Sequence, residues 1–350
     1  MKNIRTGKSI WYGEDMSKEQ NQWLFTLSTN ELDELLTAAD QVVAASKSDN
    51  FVSLDFLDNI DNFHLPLIKA NVEKFTDQLH NGIGFVLWRG IPVDEWSRKQ
   101  TFAAFLIIGK CMGNLRQQNS QGHVLGHVRD LGLSSMDSKV RVYQTNERQT
   151  FHTDSCDVVG LLCLKTAKKG GLSSLVSSGA IYNELLKSHP ELLKELLEPL
   201  AFDKRGEVSE GTLPFYMLPV FSEHNGFLSV FYQRQYIDSA QRFPDAPRLT
   251  DNKIAALNMF DNLTNSLNFE MELQPGDMQF VHNHSLLHDR TAYEDWDESD
   301  RKRHLLRMWI ATPNARPLPE AFAQRYGSVT VGHRGGLDNF GMTAVAPLWV

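Results

Sequence analysis

Gly276-Asp-Met-Gln-Phe-Val-His-Asn-His-Ser-Leu-Leu-His-Asp-Arg290 places His282, His284 and His288 close together behind a short apolar run. Gly-Asp marks a turn, and Met278 to Asn283 then reads as a buried strand that delivers the following histidines to a strand end. A metal ligand needs that placement, with rigid support and an open side toward solvent or substrate. Periodicity alone leaves the three histidines as rivals.

Outward from this stretch, Arg301-Lys-Arg-His-Leu-Leu-Arg-Met-Trp309 reads as a second strand. Alternation puts Arg303, Leu305, Arg307 and Trp309 on one face and His304, Leu306, Met308 and Ile310 on the other. Two arginines on an inward face are costly unless they meet carboxylates, for which the guanidinium fork is the natural bidentate partner. Upstream lies Phe151-His-Thr-Asp154. Strand residues two apart project to the same side, so His152 and Asp154 can reach one point with a nitrogen and an oxygen.

The rest of the chain supplies context. Ser28-Thr-Asn-Glu31 is a capping box, followed by Leu32, Leu35, Leu36, Ala39, Val42 and Val43 at helical spacing. A second helix begins after Pro66, with Ile68, Val72, Phe75 and Leu79 inward, and ends at Gly82. Gly84 to Arg89 is a buried-strand pattern, and a third helix spans Ser97 to Met112. Asn114 to Ser138 is polar and glycine-dotted, which predicts a long functional loop such as a lid. Strand patterns follow at Val140 to Gln144, Val158 to Leu164, Gly226 to Tyr232, Glu270 to Leu273, Asp277 to Asn283 and His304 to Ala311. Helical stretches at Ala180 to Ser188, Glu191 to Leu197 and Asn252 to Asn265 separate some of them. Short strands without βαβ alternation predict an α+β fold whose strands close into a sandwich or barrel. The expected organisation is a helical N-terminal extension over 1–80, packed on one catalytic domain over 81–350 with its lid at 114–138.

Composition excludes several functions. The 350 residues carry 35 Lys plus Arg against 43 Asp plus Glu, a net charge of −8, which disfavours nucleic acid and anionic membrane surfaces. Any anion must be met by a few local arginines. Cys111, Cys156 and Cys163 have no CxxC spacing, so a disulfide framework or thiolate zinc site is not expected. The basic start leads into Ile10-Trp-Tyr-Gly rather than an apolar run, so no signal peptide is read. The longest apolar runs, Phe102 to Ile108 and Leu161 to Leu164, are too short to span a bilayer, and the expected location is the cytoplasm. The expected partner is a small-molecule substrate, with a homo-oligomer left open.

His-x-Asp, a long gap, Asn-x-x-x-Leu-His-x-Arg and a basic strand, in that order, are far more specific together than apart. In them the chain resembles the taurine dioxygenase (TauD/TfdA) family of iron(II)- and 2-oxoglutarate-dependent oxygenases, in the wider clavaminate-synthase-like group. The matching stretches are Phe151 to Asp154, Gly170-Gly-Leu-Ser173, Asn283 to Arg290 and Arg303 to Arg307, with Gly82 to Gly90 as an opening strand. The resemblance implies a double-stranded β-helix (jelly-roll, cupin-like) core with flanking helices. It makes His152, Asp154 and His288 the iron ligands, since His288 is the histidine of Asn283-x-x-x-Leu-His. Arg303 then grips the distal carboxylate of 2-oxoglutarate, and Ser173 stands where the family often has a threonine on the same group. Two histidines and a carboxylate leave three open positions on iron(II), two for the 2-oxo acid and one for O2. The implied reaction hydroxylates an unactivated C–H with release of succinate and CO2. Desaturation or cyclisation would use the same residues, and a catalytically silent 2-oxo-acid binder is a further alternative. Asp154 fills the place that a halide would need, which disfavours halogenation.

The substrate side is less marked. Arg307 matches an arginine that in some members binds an acidic substrate group. Asn119, His127 and Tyr232, with Gln118, Arg129 and Arg234, are further candidates from the long loop and from Phe231-Tyr-Gln-Arg. Trp11, Trp23, Trp88 and Trp349 read as packing residues.

Overall fold

The computed structural model describes residues 3–134, 140–208, 211–337 and 341–349. Helices α1 (Thr29–Ala45) and α3 (Arg98–Met112) start at serine caps, and α2 (Pro66–Asn81) starts on a proline with no side-chain cap. Ser28 and Ser97 each accept the backbone N–H three residues on, while Glu31 and Gln100 accept the serine N–H in return. On α2, Ile68, Val72, Phe75 and Leu79 are all buried, and the helix stops at Gly82. A continuous run from Thr101 to Gly109 on α3 is buried, because this helix lies between α1 and a sheet. Three more helices, α4 (Ser178–Ser188), α5 (Pro190–Leu197) and α6 (Asp251–Leu267), gather on the far side of the molecule.

The strands that build the centre are β1 (Leu24–Thr26), β2 (Phe85–Arg89), β3 (Asn114–Arg116), β4 (Leu125–Val128), β5 (Gln149–His152), β6 (Val158–Lys165), β7 (Ser173–Ser177), β8 (Phe269–Met271), β9 (Met278–His282), β10 (Leu286–Arg290) and β11 (His304–Ala311). A large sheet runs β1-β2-β9-β6-β11-β3, with β4 also paired to β11. A small sheet runs β8-β7-β10-β5. The inner faces meet in a shared core in which Phe85, Val159, Leu305 and Trp309 of the large sheet pack with Leu175, Phe269 and Leu286 of the small one. Outer faces are covered by helices: α1 to α3 bury Val86, Leu162, Phe280, Leu306 and Met308, and α4 to α6 bury Phe151, Val176 and Leu287. The result is a double-stranded β-helix wrapped by helices on both sides, the α+β class expected.

Alternation on β11 is as expected: Leu305 and Trp309 face the inner core, while His304, Leu306, Met308 and Ile310 face α3 or its surroundings. The long polar segment differs from expectation. Within 114–138 the chain forms β3 and β4, both paired to β11, and residues 135–138 lie outside the described ones. Val140 to Gln144 is not a strand; Val142–Gln144 is a 3-10 turn. The first 80 residues are sewn into the core, since β1 pairs in parallel with β2 and Trp11, Met16 and Trp23 pack between the two sheets. Trp349 is 62% exposed, with the Arg98 guanidinium 4.3 Å from its ring centre. Among the described residues, no helix is long and apolar enough to cross a membrane.

Candidate active site

Two side chains of the small sheet and one from just beyond it meet between the layers. His152 ends β5 and pairs with His288 of β10, so the two imidazoles stand across from each other with ring centres 4.2 Å apart. Asp154 lies just past the strand end. Thr153 N–H donates to Tyr232 O at 2.9 Å, and the Asn283 amide is held between Asp154 O and Cys156 O. These bonds keep the chain extended, so Asp154 points to the same side as His152. Ligand atoms of His152, Asp154 and His288 all lie within 4.8 Å of one another, and all three residues are buried.

The electrostatics suit a cation. His152 Nδ1 faces Thr150 O at 2.8 Å and must donate to it, which leaves a lone pair on Nε2, the nitrogen beside the Gln149 amide at 2.9 Å. Burial, and then the neighbouring His152, push His288 down to about 3, so its imidazole is neutral near neutral pH. For Asp154, burial acts to raise the pKa, but Arg307, His288, His152 and the Trp309 N–H outweigh it and hold the group ionised. Trp309 Nε1 donates to Asp154 Oδ2 at 2.9 Å, and Arg307 Nη1 reaches both carboxylate oxygens at 3.2 Å. Two neutral imidazoles and one oriented carboxylate, with no thiolate nearby that is not buried and protonated, form a set suited to iron(II).

Two cavities open from this cluster. The inner one, about 490 Å³, runs from His152 and His288 past Leu161, Ser173 and Leu305 to Arg303. Arg303 is 4% exposed, and its Nη2 donates to Gly171 O at 3.3 Å. Its Nη1 is buried without a hydrogen-bond partner among the described residues. Ser173 Oγ donates to Gln279 Oε1 at 2.9 Å at the side of this cavity. The outer cavity, about 880 Å³, runs from His152 and Asp154 to Arg141, Arg205, Glu207, Tyr216 and Arg325.

His282 and His284, the rivals of His288, turn away: His282 Nδ1 meets Ser285 Oγ, and His284 Nε2 meets the buried Asp157. Two substrate candidates are also misplaced. His127 is on the helix-facing side of β4, with Nδ1 against His304 Nε2 and Nε2 against Pro347 O, both at 2.9 Å; its neighbour Val128 lines the inner cavity instead. Tyr232 lies in the core under α6, where its hydroxyl donates to Asp261 Oδ1 at 2.6 Å, while Phe231 and Gln233 on either side line the outer cavity. Asn119 and Gln118 do line that cavity, and Gln118 Oε1 accepts from Arg307 Nε at 2.8 Å. Arg234 borders it but is tied to Asp238 and Asp261, and Arg129 lines neither cavity. Arg141, Arg205, Arg325 and Tyr216 were not among the sequence candidates, because no local motif links positions so far apart.

A double-stranded β-helix with a buried His-Asp-His cluster defines a mononuclear iron oxygenase scaffold. Residues 55–309 match the taurine catabolism dioxygenase TauD, TfdA family, and the chain belongs to it. It is 33% identical to the FR-33289 synthase of Streptomyces rubellomurinus, over 93% of this chain and 96% of that protein. It is 28% identical to a uridine-5'-phosphate dioxygenase of an Amycolatopsis species, over 49% of this chain and 65% of that one. An asparagine oxygenase structure holding Fe(II), 3-hydroxyasparagine and succinate superposes with a TM-score of 0.64 at 15% identity, covering 82% of this chain and 93% of that one. This protein is therefore an iron(II)- and 2-oxoglutarate-dependent oxygenase of small molecules, with O2 as co-substrate.

Proposed function

We propose that the protein hydroxylates a small molecule bearing an acidic group, with His152, Asp154 and His288 holding iron(II). The observation that carries this reading is the buried cluster standing between two cavities, one of them ending on an arginine whose Nη1 has no hydrogen-bond partner among the described residues. When bound, iron(II) with 2-oxoglutarate and O2 supplies the oxidising power and releases succinate and CO2. The chain's own part is orientation and exclusion of water. Trp309 and Arg307 fix the Asp154 carboxylate, and Thr150 fixes the His152 tautomer.

Arg303 is the residue for the distal carboxylate of 2-oxoglutarate, with the Ser173 hydroxyl beside it. A buried guanidinium that lacks a carboxylate among the described residues is complementary to a dicarboxylic acid entering along the inner cavity. Asn119 and Arg307 border the substrate in the outer cavity. Arg307 has Nη1 and Nε committed to Asp154 and Gln118, so it acts chiefly by holding the metal-ligand carboxylate. An acidic substrate group is supported by the other arginines that line the outer cavity, and one relative is named for a phosphorylated substrate.

Anaerobic addition of iron(II) and 2-oxoglutarate should give the visible charge-transfer band of the chelate in the wild type and not in His152→Ala. Folded protein without that band would overturn the ligand assignment. Product mass then separates hydroxylation, a gain of one oxygen, from desaturation or cyclisation, a loss of two hydrogens.

A further inference from the structure

Among the described residues, the outer end of the substrate cavity holds more positive charge than its carboxylates balance. Arg141 Nη2 and Arg325 Nη1 share one acid, Glu207, at 2.6 and 3.0 Å. Arg141 Nη1 also donates to the Tyr236 hydroxyl at 2.6 Å, and Arg325 Nε donates to Ser155 Oγ at 2.7 Å, one residue from the Asp154 ligand. Arg205 stands over the same Tyr236 ring, 5.6 Å from its centre, as does Arg141 from its own side. Its only hydrogen bond from the guanidinium among the described residues is a long one, Nη2 to Val140 O at 3.4 Å, and its Nε is buried without a partner. Among the described residues, three guanidinium groups thus line this end of the cavity, two of them sharing Glu207 and the third, Arg205, with no carboxylate on it.

A second feature points the same way. Tyr216 lines this end of the cavity, is 2% exposed, and its buried hydroxyl has no hydrogen-bond partner among the described residues. The Arg325 guanidinium lies 5.9 Å from the Tyr216 ring centre. A buried hydroxyl left unmade and a half-enclosed excess of guanidinium are both unfavourable until something brings acceptor oxygens and negative charge. All the unused groups are donors. A single carboxylate would leave one charge over, whereas a tetrahedral oxyacid dianion offers three oxygens and two charges.

We infer that Arg141, Arg205 and Arg325, with the Tyr216 hydroxyl, form a subsite for a doubly ionised oxyacid group of the substrate, a phosphate monoester or a phosphonate. The inference rests on the proposed function in that this cavity is the substrate cavity; it names the charge the substrate carries and the place that charge is held. Glu207 spaces Arg141 and Arg325 and keeps the empty subsite from being more strongly cationic. Arg307 has no part in it.

The test is calorimetric titration of the iron(II)- and 2-oxoglutarate-loaded protein, without oxygen, using phenyl phosphate, phenylphosphonate and benzoate as probes. Wild type should bind the two dianions roughly tenfold or more tighter than benzoate, and the tighter of the two names the source of the group. Arg205→Gln and Arg141→Gln should each weaken dianion binding by roughly tenfold or more, while Arg301→Gln, outside the cavity, leaves it unchanged. Among the described residues the Arg205 side chain makes one long hydrogen bond and one ring contact, both weak, so its loss leaves the fold intact. Glu207→Gln should tighten dianion binding, a change of sign that a merely structural role would not give. Equal binding of benzoate, or wild-type affinity for dianions in Arg205→Gln, would overturn the subsite. The charge-transfer band read in the same samples keeps the two ideas apart: if it forms while the variants bind alike, the subsite alone falls, and if it is missing, the iron assignment falls.

Discussion

Replacing Arg303 by Met has two effects of opposite kind, and their signs separate a ligand-gripping arginine from a structural one. Arg303 is 4% exposed, and among the described residues it has no carboxylate on its guanidinium and leaves Nη1 without a partner. Its remaining contacts are weak: the 3.3 Å bond to Gly171 O and a Tyr293 ring 5.1 Å away. Removing one partner of a buried ion pair costs about 3–5 kcal/mol, whereas replacing an uncompensated buried charge by a well-packed apolar chain is often neutral or favourable. Met has a similar reach and no charge, so the ligand-free protein should keep its stability within about 1 kcal/mol. With 2-oxoglutarate the balance reverses. A guanidinium–carboxylate fork is worth about 3 kcal/mol, and at 1.36 kcal/mol per decade its loss weakens 2-oxoglutarate binding about 150-fold.

Two measurements read these effects. Anaerobic titration of the charge-transfer band gives the 2-oxoglutarate affinity, and thermal unfolding with and without the acid gives the stability. At a hundredfold excess over Kd, the wild type should gain about 2.7 kcal/mol, a rise in Tm of several degrees that Arg303→Met lacks at the same concentration. A structural arginine would give the reverse result: an apo Tm lower by roughly 5 °C or more with the 2-oxoglutarate affinity intact. That outcome would refute the assignment.

Gly171 has φ +71, and a Cβ there would lie 2.8 Å from Arg303 Nε, so Gly171→Ala should raise KM for 2-oxoglutarate tenfold or so and cost about 1 kcal/mol of stability in a melting experiment. Trp309→Phe keeps the inner core filled but removes the N–H on Asp154 Oδ2; iron(II) affinity, read by anaerobic titration, should fall about tenfold, and an unchanged affinity would count against the positioning role. Burial holds His127 and His284 down to about 4 and His304 to about 2, each neutral when folded but free to protonate near 6.5 when unfolded. The unfolded chain therefore binds more protons below pH 6.5, and stability should fall as the pH is lowered from 6.5 toward 4, by roughly 1.4 kcal/mol per unit for each such histidine, as chemical denaturation at pH 7 and 5 will show.

What could be read from the sequence, and what could not, follows from the range of the interactions involved. The α2 and α3 helices are written locally, in Pro66, in the Ser97–Gln100 cap and in apolar residues at helical spacing. β11 is legible because each face meets a different layer, which forces alternation. The cluster was legible for a chemical reason: a site proposed for iron needs fixed donor types, β5 and β10 pair His152 with His288, and Asp154 follows two residues on, so the three keep a recognisable order along the chain. β7, with sequence Ser-Ser-Leu-Val-Ser, carried no strand pattern, because serines at both its ends meet polar partners, Ser173 with Gln279 and Ser177 with Ser9 O, rather than an oily core. β3 and β4 were read as loop for a related reason: they are short, and only pairing with β11 makes them strands. His127 shows how much hangs on that pairing. Its register opposite Leu306 turns the imidazole toward α3 and leaves Val128 at the cavity, and a shift of one residue would exchange them. The outer arginines come from a turn, a 3-10 entry and a C-terminal helix, segments that meet only after the sheets close. Substrate recognition built this way can change residue by residue without disturbing the ligand order, so the reaction class is written in the sequence while the substrate is written in the fold.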